Sequence, residues 1–245
     1  MNKIKGIKIN SITYGNPQGE DVVLLHGWGQ NIEMMRPVGD ALQKEYLVTI
    51  IDLPGYGGSE EPKTPWEVDD FVEMLKELLE ELKIKKPILI GHSFGGKISL
   101  LYASKYEVEK LVLFGSPFKK EIKKESIKLK LLKQLKKVPG LNKLEEFAKK
   151  HMGSDDYRNA SPLMRKILVN TVNLDITEDV KKITCPAIII WGTQDEAVPL
   201  ARAYELEHLM KDAAVIEYEG CTHYAYLEDL GRTVRIVRTF LGSEE

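Results

Sequence analysis

Five residues of this chain have types and an order suited to nucleophilic chemistry. Ser93 is the centre of Gly91-His92-Ser93-Phe94-Gly95, between the apolar run Pro87 to Ile90 and the helix-like stretch Gly96 to Ala103. A serine on a sharp strand-to-helix turn has strained backbone dihedrals, and glycines two positions to either side let strand and helix approach without Cβ clashes. Such a turn holds the hydroxyl above the carboxyl edge of a sheet. It lies at a helix N-terminus, whose free N–H groups can stabilise an oxyanion. The same pattern fits a glycine-rich loop of no catalytic meaning, but its flanks favour the catalytic reading.

Serine is a poor nucleophile at neutral pH, so it requires a base within reach, and the base requires an orienting partner. Among His26, His92, His151, His208 and His223, the last is the best base. It follows the sheet-like run Ala214 to Tyr218 and the turn Glu219 to Thr222, which would bring it to the edge that carries Ser93. Asp195 is the expected third member, because the run Ala187 to Trp191 and a glycine turn end in its carboxylate, which would accept the Nδ1–H of His223. Adjacent Glu196 could substitute and ranks behind it. For the oxygen of a tetrahedral intermediate, the backbone N–H of Phe94 is one donor, and the loop His26-Gly27-Trp28-Gly29 supplies another from Trp28. Trp28 and Phe94 would form the floor of a substrate pocket, lined further by side chains from Phe118 onward. His92 could be structural or could shape that pocket.

These residues need a scaffold, and the apolar pattern provides one. Short runs rich in Ile and Val recur at Val22 to Leu25, Leu47 to Ile51, Ile88 to Ile90, Leu111 to Phe114, Ala187 to Trp191 and Val215 to Tyr218. They are too short for core helices and read as strands buried on both faces. Between them, Phe71, Leu75, Leu78, Leu79 and Leu82 repeat at helical spacing within Val68 to Lys83. Alternating strands and helices predict an α/β fold with a mostly parallel sheet covered on both sides. The opening stretch Ile4 to Tyr14 predicts one or two edge strands turned at Gly6 and Asn10. From about Pro117 to Thr177 no strand is expected, and Lys119 to Lys150 holds 12 Lys against 4 Glu. The expected organisation is a core of residues 1–116 and 178–245, with a helical lysine-rich cap at 117–177 over the strand ends. A solvated lysine face accounts for most of that charge.

Composition narrows the function classes. The chain has 245 residues, 43% hydrophobic and 29% charged, and a net charge of -2, which gives no global reason to expect nucleic acid. No apolar run approaches the roughly 20 residues of a membrane span, and MNKIKGIKIN has no signal-peptide core, so a cytoplasmic location is expected. Cys185 and Cys221 are too few for a disulfide framework and lack metal-site spacing. Cys221, two residues from His223, reads as a small packing residue, with redox sensitivity the alternative.

The combination of His26-Gly27-Trp28-Gly29, Asp52-Leu53-Pro54-Gly55-Tyr56-Gly57-Gly58-Ser59, Gly91 to Gly96, Gly192-Thr193-Gln194-Asp195 and Gly220-Cys221-Thr222-His223 resembles the α/β-hydrolase fold superfamily. The chain order Ser93, Asp195, His223 is also the order of that superfamily. The resemblance implies an eight-stranded, mostly parallel sheet, a cap after the sixth strand and no cofactor or metal. It also implies that Asp52 to Ser59 is a structural turn. A serine at the elbow argues against the aspartate-dependent haloalkane dehalogenases and epoxide hydrolases. It leaves esterases, thioesterases, lactonases, carbon–carbon bond hydrolases and cofactor-free haloperoxidases or perhydrolases. Leu24 to Asn31 with Asp52 to Gly57 looks most like the carboxylesterases that include the pimeloyl-acyl-carrier-protein methyl ester esterase. This elbow differs from that esterase in His92 and Phe94, and its cap carries lysine rather than arginine. The expected function is hydrolysis of a small-molecule carboxylic ester by a Ser-His-Asp triad through an acyl-enzyme. The basic cap is a possible contact for an acidic partner such as acyl carrier protein, or for an anionic surface. A non-catalytic ligand-binding protein on the same fold is the alternative from another class.

Overall fold

The computed structural model describes residues 2–120, 158 and 160–242. Most of the expected cap, residues 121–157, lies outside the described residues, as does His151. The first two strands, β1 (Asn2–Ile4) and β2 (Ile7–Ile9), form an antiparallel hairpin of their own, turned at Lys5 and Gly6 with φ of 46° and 78°. The main sheet contains β3 (Ser11–Gly15), β4 (Asp21–Leu25), β5 (Leu47–Ile51), β6 (Ile88–His92), β7 (Lys110–Phe114), β8 (Ala187–Gly192) and β9 (Ala213–Tyr218). Its order is β3-β5-β4-β6-β7-β8-β9, with β3 antiparallel to β5 and every other pairing parallel.

This main sheet has seven strands, one fewer than the eight that the resemblance implies. Asn10 explains the difference. Its N–H donates to Ser59 Oγ at 2.8 Å, its side-chain amide donates to Asp52 Oδ2 at 2.7 Å, and its carbonyl accepts from Asp52 N–H at 3.0 Å. Asn10 therefore turns the chain, and the residues before it dock as a hairpin, with Ile4, Ile7 and Ile9 buried in one core cluster with Trp66, Val68 and Phe71.

Period-two alternation divides each central strand between two layers. Val23, Leu25, Leu89, Leu111, Leu113 and Ile189 face the core beneath α2 (Val68–Glu81) and α3 (Phe94–Ala103). Val22, Leu24, Ile88, Ile90, Val112 and Ile190 face the other layer, with α1 (Ile32–Leu42). α2 starts on a capping box, Glu67 with Asp70, and carries its apolar face at the expected positions.

After β7 the described chain resumes with α4 (Pro162–Asn173), opened by Ser161, whose side chain accepts from Met164 N–H, and by Pro162. The short α5 (Thr177–Val180) follows. α4 packs Met164 and Ile167 into the core, and Asn170 donates to Glu67 Oε1 at 2.7 Å. α6 (Ala201–Leu209) lies between β8 and β9, and α7 (Ala225–Glu228) and α8 (Leu230–Leu241) close the chain, adding Tyr226, Val237 and Leu241 to the α1 layer. Among the described residues, no helix is long and apolar enough to cross a membrane.

Candidate active site

Ser93 follows β6 directly and has φ 50° and ψ -112°, a backbone conformation that L residues rarely adopt. Its N–H donates to Phe114 O at 2.9 Å, tying the turn to the end of β7. A Cβ on Gly91 would stand 2.6 Å from Gly96 Cα, and one on Gly95 would collide with Leu25 O. The strand, the turn and the helix are thus in backbone contact, and only glycine permits it. α3 begins here, with its first bond from Lys97 N–H to Ser93 O at 3.0 Å, so the N–H groups before Lys97 have no intrahelical acceptor.

His223 Nδ1 lies 2.7 Å from Asp195 Oδ2. A carboxylate only accepts, which puts a proton on Nδ1 and makes Nε2 the nitrogen that can accept in the neutral imidazole. The other oxygen, Asp195 Oδ1, accepts the N–H groups of Ala197 and Val198, each at 2.8 Å. The carboxylate is buried and held by three donors, so the orientation of the imidazole is fixed from below. Gly115, the residue after Phe114, has φ 51°, and a Cβ there would stand 2.9 Å from His223 Nδ1 and 3.3 Å from Asp195 Oδ2. Asp195 and His223 thus pair beside Gly115 at the carboxyl ends of β8 and β9, and Ser93, at the end of β6, is tied through its N–H to Phe114, the neighbour of Gly115.

The loop of Trp28 runs beside the elbow, because Gly95 abuts the backbone of Leu25 and His26. The Trp28 ring packs on Phe94 and Tyr56, each at 5.4 Å between centroids. His26 braces the loop: Nδ1 donates to Gly27 O at 2.7 Å and Nε2 accepts Leu53 N–H at 2.9 Å. Burial lowers the pKa of His26 to about 4, which keeps it neutral in this role. Asp52 has structural work: Oδ1 accepts Ile32 N–H at 2.7 Å, and Oδ2 accepts Gly58 N–H at 2.8 Å as well as the Asn10 amide. It is Asp195, rather than the adjacent Glu196, that holds His223 Nδ1.

Phe118 belongs to the same buried cluster as Phe94, against which Trp28 packs. It is 1% exposed, its carbonyl accepts Ile176 N–H at 2.8 Å, and its ring edges a surface hollow shared with Ala201, Tyr204 and Leu209. Sequence reasoning missed three side chains that organise the site. Gln30 Oε1 accepts Gly27 N–H at 2.8 Å. Glu228 accepts the Thr222 N–H at 2.7 Å and the Thr222 hydroxyl, holding the turn before His223. Lys97, buried in α3, donates from Nζ to the carbonyls of Thr171 at 2.7 Å and Leu174 at 2.6 Å, at the end of α4. The spacing of Gln30 three residues after Gly27 was a usable signal for a turn, whereas nothing local marks Glu228 or Lys97. Among the described residues, no group of three His, Cys, Asp or Glu side chains is arranged to hold a metal ion.

Comparisons with known proteins bear on the fold that carries this site. Residues 22–141 match the model of the α/β hydrolase fold family. A pimeloyl-[acyl-carrier protein] methyl ester esterase of Aliivibrio fischeri is 29% identical, over 91% of this chain and 94% of that one. A proline iminopeptidase of Heyndrickxia coagulans is 28% identical, over 93% and 92%. The crystal structure of a bromoperoxidase from Bacillus anthracis superposes with a TM-score of 0.77 at 24% identity, covering 96% of this chain and 95% of that one. By the sequence match over residues 22–141 and by architecture, the chain has the α/β-hydrolase fold.

Proposed function

We propose that this α/β hydrolase is a serine carboxylesterase working through an acyl-enzyme. The observation that carries the reading is the Asp195–His223 pair, 2.7 Å apart with its carboxylate buried, at the sheet edge where Ser93 is held at φ 50°. In this reading His223 Nε2 takes the proton of Ser93 as the hydroxyl attacks the ester carbonyl. The N–H groups of Phe94 and Trp28 receive the oxyanion, and Asp195 stabilises the imidazolium. The leaving alcohol then takes the proton from His223. Water, deprotonated by the same imidazole, releases the acid from Ser93. No cofactor or metal enters these steps. Thioesterase, lactonase or perhydrolase chemistry would use the same groups and differ only in the acyl donor and acceptor.

Residues 117–177 act in this reading as a cap. Its support is the seat of α4, where Gly55 faces Met164 and Lys97 binds the last carbonyls of the helix. The name of the Aliivibrio relative suggests a methyl ester on an acyl-carrier protein as one substrate class. The lysines of 119–150, if they meet such an acidic partner, make binding salt-sensitive. The two unpaired cysteines are in keeping with a cytoplasmic setting.

The test is labelling by a fluorophosphonate together with turnover of p-nitrophenyl esters of increasing acyl length. Wild type is expected to label stoichiometrically, with Ser93→Ala and His223→Ala unlabelled and turnover reduced by about 10⁴-fold or more. Full turnover by Ser93→Ala would refute the mechanism. A folded, unlabelled wild type that binds a small ligand without turnover would favour the non-catalytic binder.

A further inference from the structure

His92 ends β6 immediately before Ser93 and is fully buried. It has no part in bond making in the mechanism above, yet its two ring nitrogens reach two other loops. Nδ1 lies 3.1 Å from Gln30 Oε1, the oxygen that also accepts Gly27 N–H. Nε2 lies 3.1 Å from the backbone carbonyl of His223. One imidazole thus joins the loop of Trp28, the strand that presents Ser93 and the turn that carries His223. The rings of Tyr226, His223 and Tyr224 surround it, with centroids 4.8, 4.9 and 5.4 Å away.

Both of its partners are acceptors. The bond from Gly27 N–H identifies Gln30 Oε1 as the amide oxygen, and a backbone carbonyl has no proton to give. A neutral imidazole has a single N–H. Burial, reinforced by the neighbouring His223, pulls the pKa of His92 down to about 3, so no second proton is held near neutral pH. With the proton on Nε2 the turn of His223 is held, and the Nδ1 lone pair opposes Gln30. With the proton on Nδ1 the loop of Gly27 and Trp28 is held instead.

We propose that His92 is a positioning residue whose single N–H, moved between Nδ1, facing the Gln30 amide oxygen, and Nε2, facing the His223 carbonyl, by water that protonates one nitrogen and deprotonates the other, sets the spacing of the oxyanion loop, the serine turn and the histidine turn. The inference rests on the serine-hydrolase reading. A misplacement of about 1 Å at a reacting centre costs about 100-fold in rate, so both loops have to be held.

His92→Phe keeps a ring and removes both contacts, whereas His92→Gln keeps one donor. With active sites counted by fluorophosphonate, kcat per site for a p-nitrophenyl ester is expected to fall about 10- to 100-fold in His92→Phe, with KM changed by less than about 3-fold. His92→Gln is expected to recover part of the loss. Ring ¹⁵N NMR of the wild type reads the proton directly. It is expected to show a neutral His92 at pH 7 with both nitrogens at shifts intermediate between N–H and lone pair. In Gln30→Leu the proton is expected to move fully to Nε2. A single fixed tautomer or an imidazolium in the wild type would overturn the proposal, and so would wild-type kcat per site in His92→Phe. The NMR arm decides the matter if His92→Phe fails to fold. A folded wild type that takes no label would count against the serine-hydrolase reading, and the NMR result would still report whether the proton is shared.

Discussion

At the scale of single residues, the site depends on the absence of a side chain as much as on the chemistry of those present. Gly115 sits under the His223–Asp195 pair with φ 51°, and a methyl there would stand 2.9 Å from Nδ1 and 3.0 Å from Cε1. Gly115→Ala adds backbone strain at positive φ and pushes the imidazole off its carboxylate, while leaving Ser93, Asp195 and His223 in the chain. If His223 is the base proposed above, the expected result is a fall in kcat of about 100-fold or more for an activated ester, from its displacement by about 1 Å. Steady-state kinetics beside a circular-dichroism melt checks this, and unchanged kcat would show that the pair does not need its present seat. Ser93, Asp195 and His223 were legible because each ends an apolar run or follows a glycine turn. Gly115 was not, since its constraint comes from residues that follow it by 80 and 108 positions.

At the scale of elements, period-two and helical spacing located the parallel strands and α2 because burial on a regular lattice leaves a periodic record. The hairpin of β1 and β2 was read as sheet edge, since alternation says that a strand has a buried face but not which partner covers it. The seat of α4 was also hidden. Lys97 reads as an ordinary helix lysine, yet it is 1% exposed and donates to the carbonyls of Thr171 and Leu174. Burial lowers its pKa from 10.5 to about 8, opposed by the charge of Asp175. A lowered lysine pKa means that the unfolded chain binds more protons between these values, so stability rises with pH across the window and is lost as pH falls through the folded value. The neutral amine keeps two N–H groups, enough for both carbonyls. The stability difference between wild type and Lys97→Met is therefore expected to rise by about 3 kcal/mol from pH 8 to pH 10.5. Urea denaturation at a series of pH values measures it, and a flat difference would mean that the amine stays charged in its buried seat.

For the molecule as a whole, the question is which parts of the scaffold the site feels. One core cluster runs from the hairpin isoleucines through Trp66 and Phe71 to Phe94, with Trp66 and Phe71 at 5.2 Å and Phe71 and Phe94 at 5.0 Å between centroids. The elbow, however, is fixed by backbone contacts among β4, β6 and α3 and by the bond from Ser93 N–H to β7, none of which involves the hairpin. Stability and catalysis should therefore separate. Ile7, 1% exposed, loses its packing in Ile7→Ala at a cost of about 2–5 kcal/mol. In a chain of this size that lowers Tm by about 10 °C. The kcat per fluorophosphonate-labelled site should stay within about 2-fold of wild type, because no group at the sheet edge moves by the roughly 1 Å that would slow the reaction. A melt and a site-normalised rate on the same preparation test both halves. If kcat fell in step with stability, the aromatic chain from Trp66 to Phe94 would be transmitting the loosened hairpin to the serine turn, and the site would extend across the whole upper layer of the core.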